Sequence, residues 1–425
     1  MFYLLSFSYV FLVLVVLFFI SRYFRLPFFN ALSIMIMVAL PVEITKVLIA
    51  PLYNGLQDDI YYIEAISINL LFLFLAVTAG CLWIKIFKNL SVAPFREYKC
   101  FNFLISKKNL RKKSLFFFAM YVIFFILTMV IGGGGELWLF NTREAYQFYR
   151  VGAGVFYAFS ITFLALSYGF FAFSFIKKTI SIYAVIIFYV ALSYFFGSKG
   201  TMLNFAIFGL IVLWFYRSRG FYFSLLMVPM LVFPLMIYNL SQAYGDLDLS
   251  RIFSYFDYYD NSAMFYKAYD LGQLNFFWGE VFGSQAWSFV PRFIYPEKPF
   301  IYGFLHVNEY FFPGAAELTH TPAFGGPTEY YADFGIPGVI FFALFNPTVL
   351  WFSFLASNLI FRLRYVRVSS SPTIDARVVL ILAFLFFPDF LLYFNAVTKL
   401  IFFMLSMLYV YCFCRSRNSP CRVEA

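Results

Sequence analysis

The stretch PRFIYPEKPFIYGFLHVNEYFFPG, from Pro291 to Gly314, gathers Arg292, Glu297, Lys298, His306 and Glu309 among four prolines. Proline fixes φ, so the cations Arg292 and Lys298 sit on stiffened chain. Rigid segments that carry cations suit an anionic ligand that must be held in one orientation. Downstream, ELTHTPAFGGPTEYYADFGIPG adds His320, Glu329 and Asp333 ahead of Pro337. A histidine or carboxylate there is suited to taking a proton from a hydroxyl. A solvated loop with ordinary charges and aromatic packing is the plainer account of any one of these residues.

Two further stretches carry cations. In NTREAYQFYR, Asn141 followed by Glu144 predicts a helix start of the capping-box type. Arg143, Tyr146, Gln147 and Arg150 then share a face at i, i+3, i+4 and i+7. Arginine grips phosphate through a two-pronged fork, and aromatic rings stack on sugars. A surface helix that snorkels its arginines to lipid headgroups would carry the same residues. In FFGSKGTMLNF, Gly197 to Gly200 predict a hairpin, with Lys199 beside the N-terminus of the next helix. A helix N-terminus with a lysine attracts anions. An incidental charge on a glycine-lined turn is the alternative.

Other polar groups point less clearly. Asp58 and Asp59 could hold a metal, although a solvated turn explains them. Glu43 and Lys46 read as an ion pair near a helix end, and Asp389 as a buried polar residue. The five cysteines fit no zinc spacing, and with two histidines a His-rich metal site is excluded. No metal or cofactor is expected.

The elements that must hold these residues are apolar. The chain has 425 residues, 63% hydrophobic and only 12% charged, against about a quarter charged in ordinary soluble domains. Long apolar runs from end to end predict an all-α polytopic membrane protein rather than a barrel. Eleven spans are expected, at roughly 3–21, 28–51, 64–87, 115–135, 154–176, 179–197, 200–216, 221–240, 335–361, 378–396 and 398–414. The first has no basic region before it and no cleavage signature, so it reads as a retained helix. The net charge of +10 does not indicate nucleic acid, because the basic residues cluster beside apolar runs.

Those clusters set the orientation. They fall at Arg22/Arg25, Lys85 to Lys113, Lys177/Lys178, Arg217/Arg219, Arg362 to Arg377 and Arg415/Arg417/Arg422, and hold 22 of the 31 Lys and Arg. Each follows an odd-numbered span, which predicts an outside N-terminus and an inside C-terminus. The five cysteines then fall at or near the reducing side. One integral membrane domain, 1–425, is expected, with a large outer loop at 241–334. That loop holds 11 acidic and 4 basic residues.

GSKG, PRFIYPEKP and GGPTEYYADFGIPG, set in a Phe-rich chain of this length, resemble motifs of Wzy-type O-antigen polymerases. Two arginines are each followed, after ten intervening residues, by a glycine: Arg143 by Gly154, and Arg292 by Gly303. This spacing also resembles the family. The hairpin departs from it, with Lys199 where arginine is common, supplying charge without the fork. The resemblance implies an inner-membrane glycosyltransferase with a periplasmic loop and active site. It implies transfer of a growing glycan from undecaprenyl pyrophosphate to a hydroxyl of an incoming lipid-linked repeat unit. Membrane lipid and a chain-length regulator are the implied partners. Arg143, Arg150, Lys199 and Arg292 would meet the pyrophosphate, with Lys298 and Tyr146 beside the substrate. Glu329 or His320 would face the acceptor, with His306 behind them. An O-antigen ligase or a lipid-linked-sugar transferase would share much of this chemistry. A repeat-unit flippase would instead have two similar halves and no large loop.

Overall fold

The computed structural model describes residues 2–23, 44, 49, 59–87, 104–149, 152–175, 180–216, 234–235, 237–238, 241, 258–290, 294–317, 322–324, 327–345 and 373–375. Its helices are α1 (Phe2–Tyr23), α2 (Asp59–Phe87), α3 (Lys107–Gly132), α4 (Leu137–Phe140), α5 (Thr142–Phe148), α6 (Gly154–Ala172), α7 (Ile180–Tyr194) and α8 (Lys199–Phe215). They continue with α9 (Tyr258–Asp270), α10 (Glu280–Ser284), a 3-10 turn (Gln285–Phe289), α11 (Leu305–Phe311) and α12 (Thr328–Phe345). Strands β1 (Leu104–Ser106) and β2 (Thr373–Asp375) form an antiparallel pair, with Ile105 opposite Ile374. Apart from residues 44, 49, 234–235 and 237–238, the expected spans at 28–51, 221–240, 378–396 and 398–414 lie outside the described residues, as do Glu43, Lys46, Asp58 and Asp389. Six of the other seven expected spans coincide wholly or in large part with α1, α2, α3, α6, α7 and α8; of the span at 335–361, residues 335–345 form the end of α12 and the remainder lies outside the described residues.

The chain divides into two compact units. One comprises Leu26–Ile34, Ile86–Asn239 and Ser353–Ala425, and its body is a bundle of α3, α6, α7 and α8. Helix α3 starts where Ser106 Oγ accepts the N–H of Asn109 at 3.2 Å. Its buried residues Leu110, Ser114, Phe117, Tyr121, Phe125 and Thr128 recur every three or four positions and form one stripe. The remaining surface is apolar too, with Leu115, Phe116, Ile123, Ile126 and Val130 exposed. A soluble protein would place polar side chains there, whereas a lipid contact requires apolar ones. Among the described residues, Lys107–Gly132 and Gly154–Ala172 are long and apolar enough to cross a membrane.

Antiparallel packing of α3 on α6 follows from the pairs Phe117–Phe170 at 5.4 Å and Phe124–Phe159 at 5.2 Å between ring centroids. Hydroxyls lock the centre: Ser167 Oγ donates to Ser114 O at 3.0 Å and lies 2.7 Å from Tyr189 Oη of α7. Such hydrogen bonds between helices satisfy polar groups where water is absent. Tyr168 stacks on Tyr189 at 4.7 Å and meets Phe208 of α8 at 4.9 Å. Alternating chain direction puts the end of α3, α4, α5, the start of α6 and the α7–α8 hairpin at one end of the bundle. The strand pair, Lys107 and Arg111 occupy the opposite end, where Arg111 Nε donates to Ser174 Oγ at 3.3 Å.

The second unit comprises Met1–Arg25, Met35–Lys85 and Leu240–Phe352. Its core joins α1, α2, α9, α11 and α12 through Tyr9, Tyr62, Ile66, Tyr259, Phe265, Val307 and Tyr331. Asn69 Nδ2 donates to Tyr9 Oη at 2.9 Å and also to Tyr259 Oη, tying three helices together. Helix α12 kinks at Gly335, whose φ is 63°, and Pro337 lies at the start of the helical run beyond the kink. The described residues between 258 and 324 form α9, α10, a 3-10 turn, α11 and the turns between them.

Candidate active site

In the bundle unit, Asn141 caps α5 as the sequence predicts. Its Oδ1 accepts the Glu144 N–H at 3.4 Å, and its Nδ2 donates to Glu144 Oε2 at 2.6 Å. The cap fixes where the first turn begins, and so which way Arg143 points. Arg143 does not snorkel outward: it is 6% exposed, and its Nη1 donates to Gly197 O at 3.4 Å. Its guanidinium lies 5.2 Å from the Tyr146 ring centroid, a cation–π contact. Tyr146 in turn lies 5.8 Å from Tyr157, whose hydroxyl donates to Phe196 O at 2.9 Å. Gly197 adopts φ 63°, and a Cβ there would collide with the Thr142 carbonyl and the Tyr146 side chain. The hairpin and α5 therefore meet backbone to backbone. One residue on, Ser198 caps α8 by accepting the Thr201 N–H at 3.4 Å. Lys199 opens that helix with its Nζ shielded from solvent. The structure thus brings Arg143, Tyr146 and the hairpin bearing Lys199 together. Arg150 lies outside the described residues.

The second unit holds the other candidates. Arg292 and His320 lie outside the described residues. The chain on either side of Arg292 is tied by a stack of Trp287 on Tyr295 at 5.7 Å. Lys298 is 8% exposed, with its Nζ 4.3 Å from the Tyr302 ring centroid. His306 contacts two residues that sequence reasoning missed. Its Nε2 lies 3.1 Å from Ser284 Oγ, and its Nδ1 lies 3.6 Å from Glu280 Oε1. Ser284 Oγ also accepts the Gly303 N–H at 2.8 Å, closing the segment from 284 to 303 at its base. The i, i+4 spacing of Glu280 and Ser284 was visible in the sequence, but nothing there connected it to a histidine 22 positions on.

Two carboxylates stand on the first turns of α12. Asp333, 1% exposed, accepts the N–H groups of Gly279, Val281 and Phe282 at 3.1, 3.1 and 2.7 Å. Burial raises its carboxyl, while these three bonds pull it back down. It holds the turn that leads into α10. Glu329, one turn earlier and ahead of the kink, is pushed up to about 7 by burial and then by the Asp333 charge. A carboxyl poised there exchanges protons near neutral pH. Among the described residues no cluster of three or more His, Cys, Asp or Glu could hold a metal ion.

Two curated proteins are similar to the chain: the O-antigen polymerase of Salmonella typhimurium and the O-antigen polymerase of Salmonella typhi. Each is 26% identical over 204 residues, 47% of this chain. No family model matches the chain, and no solved structure does. The chain spans about half the length of the curated relatives it matches, 49% in each case.

Proposed function

We propose that this chain polymerises oligosaccharide repeat units of a bacterial surface glycan, as a membrane glycosyltransferase of the Wzy type. The observation that carries the reading is Arg143, buried against the hairpin that bears Lys199, in a chain similar to O-antigen polymerases. The donor is a glycan on undecaprenyl pyrophosphate, and the acceptor is a hydroxyl of a second lipid-linked unit. Pyrophosphate already leaves readily, so the protein's task is to stabilise the charge that develops on it. Fixed arginine and lysine donors do that without reorganising. Arg143, Arg150, Lys199 and Arg292 take this role, with Tyr146 and Lys298 beside the glycan. Glu329, His320 and His306 serve the acceptor.

The reading places eleven spans in the inner membrane, the N-terminus and the 241–334 loop in the periplasm, and the C-terminus in the cytoplasm. The pairing of β1 with β2 supports it, because both strands lie in segments assigned to the cytoplasmic side. A chain-length regulator is an expected partner.

The test is deletion of the gene in its host, followed by a gel of the surface glycan. A core bearing one repeat unit is expected, with the ladder restored by wild type but not by Arg143→Ala or Arg292→Ala. Loss of even the single unit would point to a ligase, flippase or assembly transferase. An unchanged ladder after deletion would remove the proposal altogether.

A further inference from the structure

Resting on that reading, we propose that His306 Nδ1 receives the proton of the acceptor hydroxyl, and that Glu280 and Ser284 are the residues that position it. The sequence reading placed His306 behind Glu329 or His320. The hydrogen bonds place it instead at the centre of its own array.

Hydrogen-bond accounting assigns the tautomer. A serine hydroxyl has one proton to give. Ser284 Oγ lies 2.6 Å from the carbonyl oxygen of Glu280, one helical turn back, and donates there. It accepts the N–H of Gly303 at 2.8 Å. Towards His306 Nε2 at 3.1 Å it is therefore an acceptor, and Nε2 carries the ring proton. The neutral imidazole then keeps its lone pair on Nδ1. Nδ1 faces Glu280 Oε1 at 3.6 Å, too long for a hydrogen bond but close enough for a carboxylate to stabilise an imidazolium.

Exposure fits the role. The His306 side chain is 19% exposed and that of Glu280 is 59%. A hydroxyl arriving from the Glu280 side meets Nδ1, while Nε2 stays anchored. Among the described residues, Glu280 is the charged group against the ring. The face from the preceding turn is Phe277, 6.2 Å away between centroids. Glu309, next along α11, accepts the Gly314 N–H at 2.9 Å.

The step balances. The acceptor oxygen bonds to the anomeric carbon of the donor glycan while its proton passes to Nδ1. The anomeric C–O bond to pyrophosphate breaks, and its electron pair leaves with the phosphate oxygen. The imidazolium later releases its proton to water.

The experiment uses the full chain in lipid nanodiscs with undecaprenyl-pyrophosphate-linked repeat units. Glu280→Gln is expected to lower kcat on the order of 10- to 100-fold with KM unchanged, less than the roughly 100- to 10,000-fold that loss of the proton-accepting group itself costs. Glu280→Asp and Ser284→Thr should recover part of kcat, and Ser284→Ala should not. The decisive comparison is the double variant Glu280→Gln/His306→Ala, which should be no slower than His306→Ala alone, because the two residues act as one unit. Independent losses that multiply would overturn the positioning role, as would wild-type kcat in Glu280→Gln. If wild type forms no polymer, the polymerase reading falls and takes this step with it. If wild type polymerises and the cycle is additive, only this step falls.

Discussion

Arg143 is the side chain whose surroundings say most about its task. A cation meant for lipid headgroups would extend into the interface, yet this one is turned onto the carbonyl of Gly197 and the Tyr146 ring. Lysine would keep the charge and lose the fork that holds the carbonyl and the ring and that would reach the proposed pyrophosphate. Arg143→Lys should therefore cut polymer formation on the order of 10- to 100-fold, and Arg143→Ala by about 100-fold or more, as removal of a preorganised donor does. Initial rates on lipid-linked repeat units measure both. Glu329 supports a prediction with a defined sign. Its folded-state value of about 7 lies above the ordinary 4.5, so between these the folded state binds more protons than the unfolded state. Its contribution to stability is thus fully present below about 4.5 and is lost as pH rises to about 7. Glu329→Gln, which cannot ionise, should flatten the melting temperature across that window and raise it relative to wild type at pH 8. A steeper fall of melting temperature with pH in the variant would refute the assignment.

The α7–α8 hairpin and α5 depend on one glycine. Gly197 combines a left-handed φ with a backbone contact that leaves no room for a Cβ. Gly197→Ala should cost about 1–3 kcal/mol, lower the melting temperature and abolish polymer, because the hairpin withdraws from Arg143. Gly135→Ala is the control, since nothing lies within 4 Å of a Cβ there and its φ is not positive. Equal effects of the two substitutions would show that the close approach does not matter. Helices α3 and α6 were readable in the sequence because each is a long apolar run of the length a membrane crossing demands. The cap at Asn141 was readable because capping is local chemistry. The grip of Asp333 on three N–H groups was not, because its partners lie more than 50 positions earlier. The same is true of β1 and β2, three residues each and separated by most of the chain.

The candidate cations and bases fall in both units of the chain: Arg143 and Lys199 in one, and Lys298, His306 and Glu329 in the other. Sequence reasoning grouped them because basic clusters and apolar runs fix which segments share a side of a membrane. The expected sidedness rests on charge and hydropathy alone, which are properties of each segment by itself. The packing of Ser284 on His306 is encoded only in three-dimensional complementarity, so it does not read from the chain directly. Sidedness is also what the whole proposal needs, since donor and acceptor must meet on one face. Reporter fusions measure it. Alkaline phosphatase, active only outside the inner membrane, should be active when fused after Gly135, Ser198 or Glu317, and inactive after Lys113 or Tyr216. A fluorescent protein that matures only in the cytoplasm should give the reverse pattern at the same positions. Activity of the phosphatase after Lys113 together with its inactivity after Glu317 would invert the molecule. The 241–334 loop would then face the cytoplasm, where a polymerase of this kind would have no exported acceptor to extend.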